Sequence, residues 1–352
     1  MKKSLIALAV LAGSGAAMAQ SSVTIYGVLD TYLASARTSV NGTSTTQNKL
    51  DSGSVNGSRW GLKGSEDLGG GLKTIFQLES GFNIDDGTQA QGRLFGRQAW
   101  VGFAGDFGAV KLGRNVSPFD DVNGASDAVF DSNLSAMART FRSYNGSYNT
   151  PTGTNNTAYA IRLNNSIKFE SANYSGFTGA VAYSLAEDPR DGSTTVYSSV
   201  SAFNLAYAAG PLAVQLGYQV EHNNQAGTDD QKFTRLGGSY DFGVAKALLA
   251  YGKAGNIGGI SGADATEWQI GADVPVSAAL TLSANYASSK DNDAVDNASE
   301  AKRTGYGLGA KYTLSKRTFL YGGYSYGKTD FQANNNPDTT VKLLAVGVQH
   351  RF

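Results

Sequence analysis

Apolar and polar residues alternate with a period of two along most of this chain. Leu212, Val214, Leu216, Tyr218 and Val220 share one parity; Ala213, Gln215, Gly217 and Gln219 share the other. Trp268, Ile270, Ala272 and Val274 alternate with Glu267, Gln269, Gly271 and Asp273. Leu280, Leu282, Ala284 and Tyr286 alternate with Thr281, Ser283 and Asn285, and Tyr306, Leu308, Ala310 and Tyr312 with Gly305, Gly307, Gly309 and Lys311. A helix would scatter this pattern around its axis, whereas a strand sends successive side chains to opposite faces. The chain is therefore all-β, with one apolar face and one polar or small face.

The pattern divides into sixteen strands, near 22–36, 56–67, 71–83, 94–104, 107–115, 163–172, 177–186, 199–208, 212–222, 231–241, 244–253, 264–274, 279–289, 302–313, 317–329 and 340–352. Each is close to the ~9–11 residues of a tilted membrane strand. Short connections at 67–71, 104–107, 173–176, 208–211, 241–244, 275–279 and 313–317 mostly hold Gly, Asn, Asp or Pro, the residues of tight turns. Between them lie long polar ones, near 37–55, 84–93, 116–162, 187–198, 223–230, 254–263, 290–301 and 330–339. Strict alternation of short turns and long loops fits an antiparallel transmembrane β-barrel with an even number of strands, and a soluble sandwich would not sort its connections this way.

Composition supports that reading. The chain carries 44 Gly, 18 Tyr and 16 Phe but 6 Pro, a balance that favours strands and tight turns. A mean hydropathy of −0.25 argues against a helical membrane protein. It does not argue against a barrel, whose strands are apolar on one face only. Tyr26, Tyr32, Trp60, Phe76, Trp100, Tyr183, Tyr207, Tyr218, Tyr240, Trp268, Tyr286, Tyr312, Tyr324 and Tyr326 fall mostly near strand ends, where aromatic girdles are expected.

Residues 1–19 read as a cleaved secretory signal peptide, with Lys2 and Lys3 ahead of an apolar stretch from Leu5 to Ala12 and Ala17-Met18-Ala19 before the cut. The expected mature start is Gln20, and residues 20–352 form one domain. Without the leader, 27 basic face 29 acidic side chains, so no global basic field points to nucleic acid. The chain has no cysteine and two histidines, His222 and His350. No catalytic constellation, metal site or cofactor is expected.

Several segments resemble the trimeric general porins of Gram-negative bacteria, particularly the β-proteobacterial type. They are Ser22-Val-Thr-Ile-Tyr-Gly-Val-Leu-Asp30, Ser58-Arg-Trp-Gly-Leu-Lys-Gly-Ser-Glu-Asp-Leu-Gly-Gly-Gly-Leu-Lys73, Phe95-Gly-Arg-Gln-Ala-Trp-Val-Gly102, Leu112-Gly-Arg-Asn115, Asn165-Ser-Ile-Lys168 and the last residue, Phe352. The resemblance implies a sixteen-stranded barrel in a homotrimer, in contact with outer-membrane lipids and lipopolysaccharide. It also implies a third loop folded into the lumen, and passive diffusion of small hydrophilic solutes and ions.

The long segment 116–162 suits that role. Phe119, Val122, Val129, Phe130, Leu134, Met137 and Phe141 call for a wall to pack on, while Asp120, Asp121, Asp127 and Asp131 form an acidic set, with Arg139 and Arg142 beyond. In 57–65, Arg59 and Lys63 share the inward parity, opposite Trp60 and Leu62; Lys168 points in between Ile167 and Phe169. Arg59, Arg97 and Lys168 stand where the family has its constriction arginines, Lys168 being a departure. The parity of Arg97 is ambiguous, and Arg93 and Arg114 are further candidates. Phe352 is expected to close the barrel wall.

Gly322-Gly-Tyr-Ser-Tyr-Gly-Lys-Thr329 fits a phosphate-loop pattern, but its glycines lie within a strand alternation and no helix follows. A substrate-specific porin is the nearest alternative. An outer-membrane barrel enzyme built on His222 is more remote, because its neighbour Glu221 points to the opposite face.

Overall fold

The computed structural model describes residues 22–123, 126–141, 159–186, 199–223, 227–292, 300–332 and 338–352. Ala19, Gln20 and Arg142 lie outside them. The strands are β1 (Ser22–Val40), β2 (Thr43–Ser52), β3 (Arg59–Gly69), β4 (Leu72–Gly81), β5 (Gln98–Gly105), β6 (Gly108–Val116), β7 (Arg162–Ser171), β8 (Phe177–Ser184), β9 (Ser199–Ala209), β10 (Leu212–His222), β11 (Gln231–Asp241), β12 (Lys246–Gly255), β13 (Ala265–Pro275), β14 (Leu280–Asp291), β15 (Ala301–Thr313), β16 (Thr318–Phe331) and β17 (Thr339–Arg351). Chain neighbours from β3 to β17 pair antiparallel, and β17 pairs with β1 to close the barrel.

The wall has sixteen staves, because β2 and β3 are two halves of one. β2 pairs with Thr31–Val40 of β1 and β3 with Ser22–Val28. Alternation alone predicts a polar loop over 37–55. There β1 instead continues to Val40 and turns at Asn41-Gly42, both at positive φ (50° and 80°), the geometry of a two-residue hairpin that Asn-Gly favours. Polarity hid β2, whose outward residues are hydrophilic until Leu50.

Between the two halves, residues 53–58 are held by one buried carboxylate. Asp30 accepts hydrogen bonds from the Ser54 and Asn56 amides (3.2 and 3.0 Å), the Tyr321 hydroxyl (2.6 Å) and Gln349 Nε2 (3.0 Å). Four donors offset the cost of burying the charge. The barrel closes nearby, where the Phe352 and Gly27 backbones exchange hydrogen bonds at 3.1 and 3.2 Å. The Phe352 ring fills the space a side chain at Gly27 would need.

Aliphatic residues of the outward parity are exposed on the outer wall, among them Ile25, Leu33, Leu249, Ile270, Leu282 and Leu308. Such a band suits a lipid solvent. Three aromatics assigned to the girdles face inward instead. The Tyr26 hydroxyl donates to Glu79 Oε2 (2.9 Å), the Tyr32 hydroxyl to Asp51 Oδ2 (3.0 Å), and Trp100 Nε1 to Gln98 Oε1 (2.9 Å). Each finds a polar partner for its polar atom, which an apolar exterior could not supply.

Candidate functional site

The third loop begins with helix α1 (Pro118–Asn123), passes a single 3₁₀ turn (Val129–Asp131) and reaches helix α2 (Met137–Thr140). α1 packs against β9, β10 and β11, and α2 against β14, β15 and β16. The loop lies inside the barrel because the facing strands present glycine to it. A Cβ on Gly217 would meet Phe119 and Val122 at 3.2–3.3 Å. One on Gly271 would meet Ala128 at 2.5 Å, one on Gly309 would meet Val129 at 2.8 Å, and one on Gly327 would meet Arg139 at 2.6 Å. These lumen-parity glycines, legible in the sequence only as small residues facing water, form a bed for the loop. Close packing on it gains dispersion contacts that a side chain there would destroy.

Polar anchors fix the loop's register. Gln219 bonds Ser117, and Ser283 Oγ accepts from the Val129 amide (2.7 Å). Arg139 donates to Ser325 Oγ (3.1 Å) and to the Asn133 carbonyl (2.6 Å). Beneath the loop, Arg235 and Glu267 form a fully buried ion pair at 2.9 Å. The Arg235 guanidinium lies 5.8 Å from the Phe119 ring centroid and 5.1 Å from that of Phe141, within cation–π range. The Asn133 amide donates to the Ser54 carbonyl (2.9 Å), tying the loop to the segment that Asp30 holds.

The acidic set is divided by this docking. Asp121 is exposed and accepts from Lys168 Nζ at 2.8 Å, and Glu170 takes the same ammonium at 3.1 Å. Lys168 is thus bound to the loop by an ion pair rather than facing it across a gap. Asp120 accepts the Tyr159 hydroxyl (2.7 Å). Asp127 is turned away from the lumen and buried, with Oδ1 accepting from Ser135 Oγ (2.6 Å) and Asn285 Nδ2 (3.2 Å). Burial and the neighbouring charge of Asp131 push the Asp127 carboxyl well above the ordinary carboxylate range. Asp131, at positive φ, is exposed.

The basic wall holds more arginine than strand parity predicts. Arg97 Nε donates to Glu79 Oε1 at 2.7 Å, which settles its inward orientation, and Arg59 Nε lies 3.9 Å from Glu79 Oε2. Arg114 donates to the Gly96 carbonyl (2.8 Å) and to Asn164, which Arg93 also reaches at 3.4 Å. A bulge between Gly113 and Asn115 lets Arg114 leave the strict alternation. Arg162, which no run of alternating neighbours identifies, feels the positive charges of Arg97 and Arg114 together with the negative charges of Asp120 and Glu79; Arg97 acts likewise on Arg59, which Glu79 also offsets, and Arg93 acts on Arg114. Five guanidinium groups therefore form one electrostatic chain, with Glu79 as its bonded carboxylate among the described residues. Lys63 is exposed further along β3, with its Nζ 5.3 Å from the Tyr26 ring centroid.

On the outer face at the long-loop end, His222 links two groups, with Nε2 3.1 Å from Ser201 Oγ and Nδ1 2.9 Å from Asp230 Oδ2. The acid beside His222 in sequence, Glu221, is not its partner, as the alternation requires.

Comparison with known proteins agrees with this architecture. The model of the Gram-negative porin family matches residues 4–332. Outer membrane porin protein 32 of Delftia acidovorans is 36% identical over 353 residues, covering 99% of this chain and 94% of the relative. An outer membrane porin protein of Bordetella pertussis is 33% identical over 404 residues, covering 100% of this chain and 100% of the relative. Among solved structures, an anion-selective porin from Comamonas acidovorans superposes with a TM-score of 0.73 at 30% identity, over 94% of this chain and 100% of the other. The trimer form of OmpT from Vibrio cholerae shares the fold, with a TM-score of 0.66 at 16% identity, over 94% of this chain and 99% of the other. With a closed barrel, an inward third loop and these relatives, the chain belongs to the Gram-negative porin family and is an outer-membrane porin.

Proposed function

We propose that this porin is a water-filled channel for passive diffusion of small hydrophilic solutes, with a preference for anions set where the third loop faces Arg59, Arg93, Arg97, Arg114 and Arg162. The observation that carries the reading is the imbalance of charge. Among the described residues the five arginines share one bonded carboxylate, Glu79, with Asp120 acting on Arg162 through space, while on the loop Asp121 is paired with Lys168, Asp120 accepts the Tyr159 hydroxyl, Asp127 is buried and Asp131 is exposed, so guanidinium groups still outnumber the carboxylates near them. An unbalanced cationic wall backed by low-dielectric protein attracts anions and repels cations. The anion selectivity named for the Comamonas acidovorans structure is consistent with this sign. Charged headgroup lipids around the rim, a homotrimeric assembly and a mature start at Gln20 complete the proposal. Zero-current potential under a salt gradient tests it.

A second reading has one observation in its favour, the Ser201–His222–Asp230 relay, which has the connectivity of a nucleophile, a base and an orienting acid. Labelling of Ser201 by a fluorophosphonate would support hydrolysis. Absence of labelling in folded protein leaves the relay as a surface hydrogen-bond chain.

A further inference from the structure

On the lumen face of the first strands one tyrosine reaches across its neighbour. Tyr26 on β1 stands directly opposite Gly61 on β3, and Gly61 opposite Glu79 on β4. A Cβ on Gly61 would lie 2.8 Å from both Cζ and Oη of Tyr26, inside van der Waals contact. The missing side chain is therefore the passage by which the ring crosses β3. At its end the hydroxyl donates to Glu79 Oε2 (2.9 Å) and accepts from Gln77 Nε2 (2.5 Å). A phenol has one proton, so the amide fills its acceptor side and turns the O–H toward the carboxylate.

Glu79 is the carboxylate that the arginine chain shares, and its two oxygens are used differently. Oε1 accepts from Arg97 Nε at 2.7 Å, a charge-assisted bond. Oε2 is taken by the neutral tyrosine, while Arg59 Nε stands off at 3.9 Å, beyond a hydrogen bond. Arg59 donates from Nη2 to Asn56 Oδ1 (3.2 Å), and its side chain keeps 20% of its surface exposed. A carboxylate and a guanidinium this close commonly join in a two-pronged pair, which occupies the N–H donors. Here a neutral donor satisfies the oxygen without engaging a second cation.

We propose that Tyr26 is a positioning residue for anion passage: its hydroxyl occupies Glu79 Oε2 and so keeps the carboxylate from clamping Arg59. The inference rests on the anion-preferring channel proposed above, and adds what holds its wall in the conducting arrangement. An anion in the narrow part of the channel exchanges water for N–H donors of the wall. A clamped guanidinium has fewer of them to offer. The net charge of the wall is the same with or without the hydroxyl. What changes is how many arginine donors a passing anion meets.

The test is single-channel conductance in dilute potassium chloride, with the zero-current potential, for the unaltered protein, Tyr26→Phe, Glu79→Gln and the two changes combined. Tyr26→Phe removes one oxygen and keeps the ring over Gly61. It is expected to lower the conductance about twofold, the low end of the net worth of one hydrogen bond, and to move the potential toward cation preference. In the Glu79→Gln background the same change is expected to have no effect, because no carboxylate remains to swing onto Arg59. A general disturbance of the wall would act in both backgrounds. Gln77→Met, which leaves the hydroxyl free to turn, should act in the same direction by a smaller factor. Should Tyr26→Phe fail to form channels, Gln77→Met with and without Glu79→Gln decides. Unchanged conductance and potential in Tyr26→Phe, or an equal shift in both backgrounds, overturns the proposal. A cation-preferring unaltered channel would defeat the anion reading itself, whereas an anion-preferring channel indifferent to the hydroxyl would defeat the role of Tyr26 alone.

Discussion

Arg139 in the third loop sits so close to Gly327 in β16 that a Cβ built on the glycine would lie 2.6 Å from the arginine's own Cβ. The side chain missing from the wall is the space the loop occupies. The same relation recurs at Gly217, Gly271 and Gly309, so the loop's position inside the barrel is encoded on the strands it covers.

Gly327→Leu should therefore unseat α2 without disturbing the outward face of β16. The expected outcome is a channel with higher single-channel conductance and more current noise in a planar bilayer. A folded variant with unaltered conductance would show that the seat on β16 does not set the opening.

Outward and lumen positions should differ in tolerance to charge. An arginine on the lipid face near mid-membrane costs ~2–4 kcal/mol, so Leu282→Arg should lower the urea midpoint for unfolding in lipid vesicles. Lys63→Glu, at an exposed lumen position, should leave it nearly unchanged. From alternation alone Ser283→Arg would also be harmless. The structure reverses that expectation, because Ser283 is buried under the loop and accepts the Val129 amide. Ser283→Arg should impair folding too. Equal midpoints for Leu282→Arg and the unaltered protein would mean the outer face is misassigned.

The Asp127 carboxyl gives loop docking a pH dependence. Its affinity for a proton is raised in the folded state by burial, then by Asp131. A raised acid contributes stability below its unfolded value, near ~4, and loses it as pH climbs through the folded value. Loop protection from protease should accordingly fall as pH rises across that window. Asp127→Asn should weaken the dependence, the remainder belonging to Asp120 and Asp121, whose affinities for a proton burial also raises; a variant with the dependence unchanged would show that Asp127 does not contribute.

Mass spectrometry of protein purified from the outer membrane should show a chain beginning at Gln20. An intact Met1 would contradict export through a cleaved leader.

The wall was legible in the sequence because lipid on one side and polar groups on the other impose a strict period of two. What escaped were places where that period is broken or its polarity is uniform. β2 is polar on both faces up to Leu50, so only Asn41-Gly42 signalled a hairpin. Arg114 lies at a bulge, and Arg162 starts β7 at the end of a long loop, where parity has no run of neighbours to fix it. Tyr26, Tyr32 and Trp100 looked like girdle residues because aromatic character says nothing of whether a polar partner waits inside. The division of the loop's acids was equally hidden: Asp121 is paired by a lysine 47 positions away, and Asp127 bonds Asn285, 158 positions away.

If the arginine chain makes the channel prefer anions, the most direct test is the zero-current potential of single channels under a potassium chloride gradient, for the unaltered protein and for Arg59→Glu with Arg162→Glu. The expected potential has the sign that marks anion preference, and it moves toward cation preference in the double variant while the channel still conducts. A cation-selective unaltered channel, or a potential that the double variant leaves in place, would contradict this assignment.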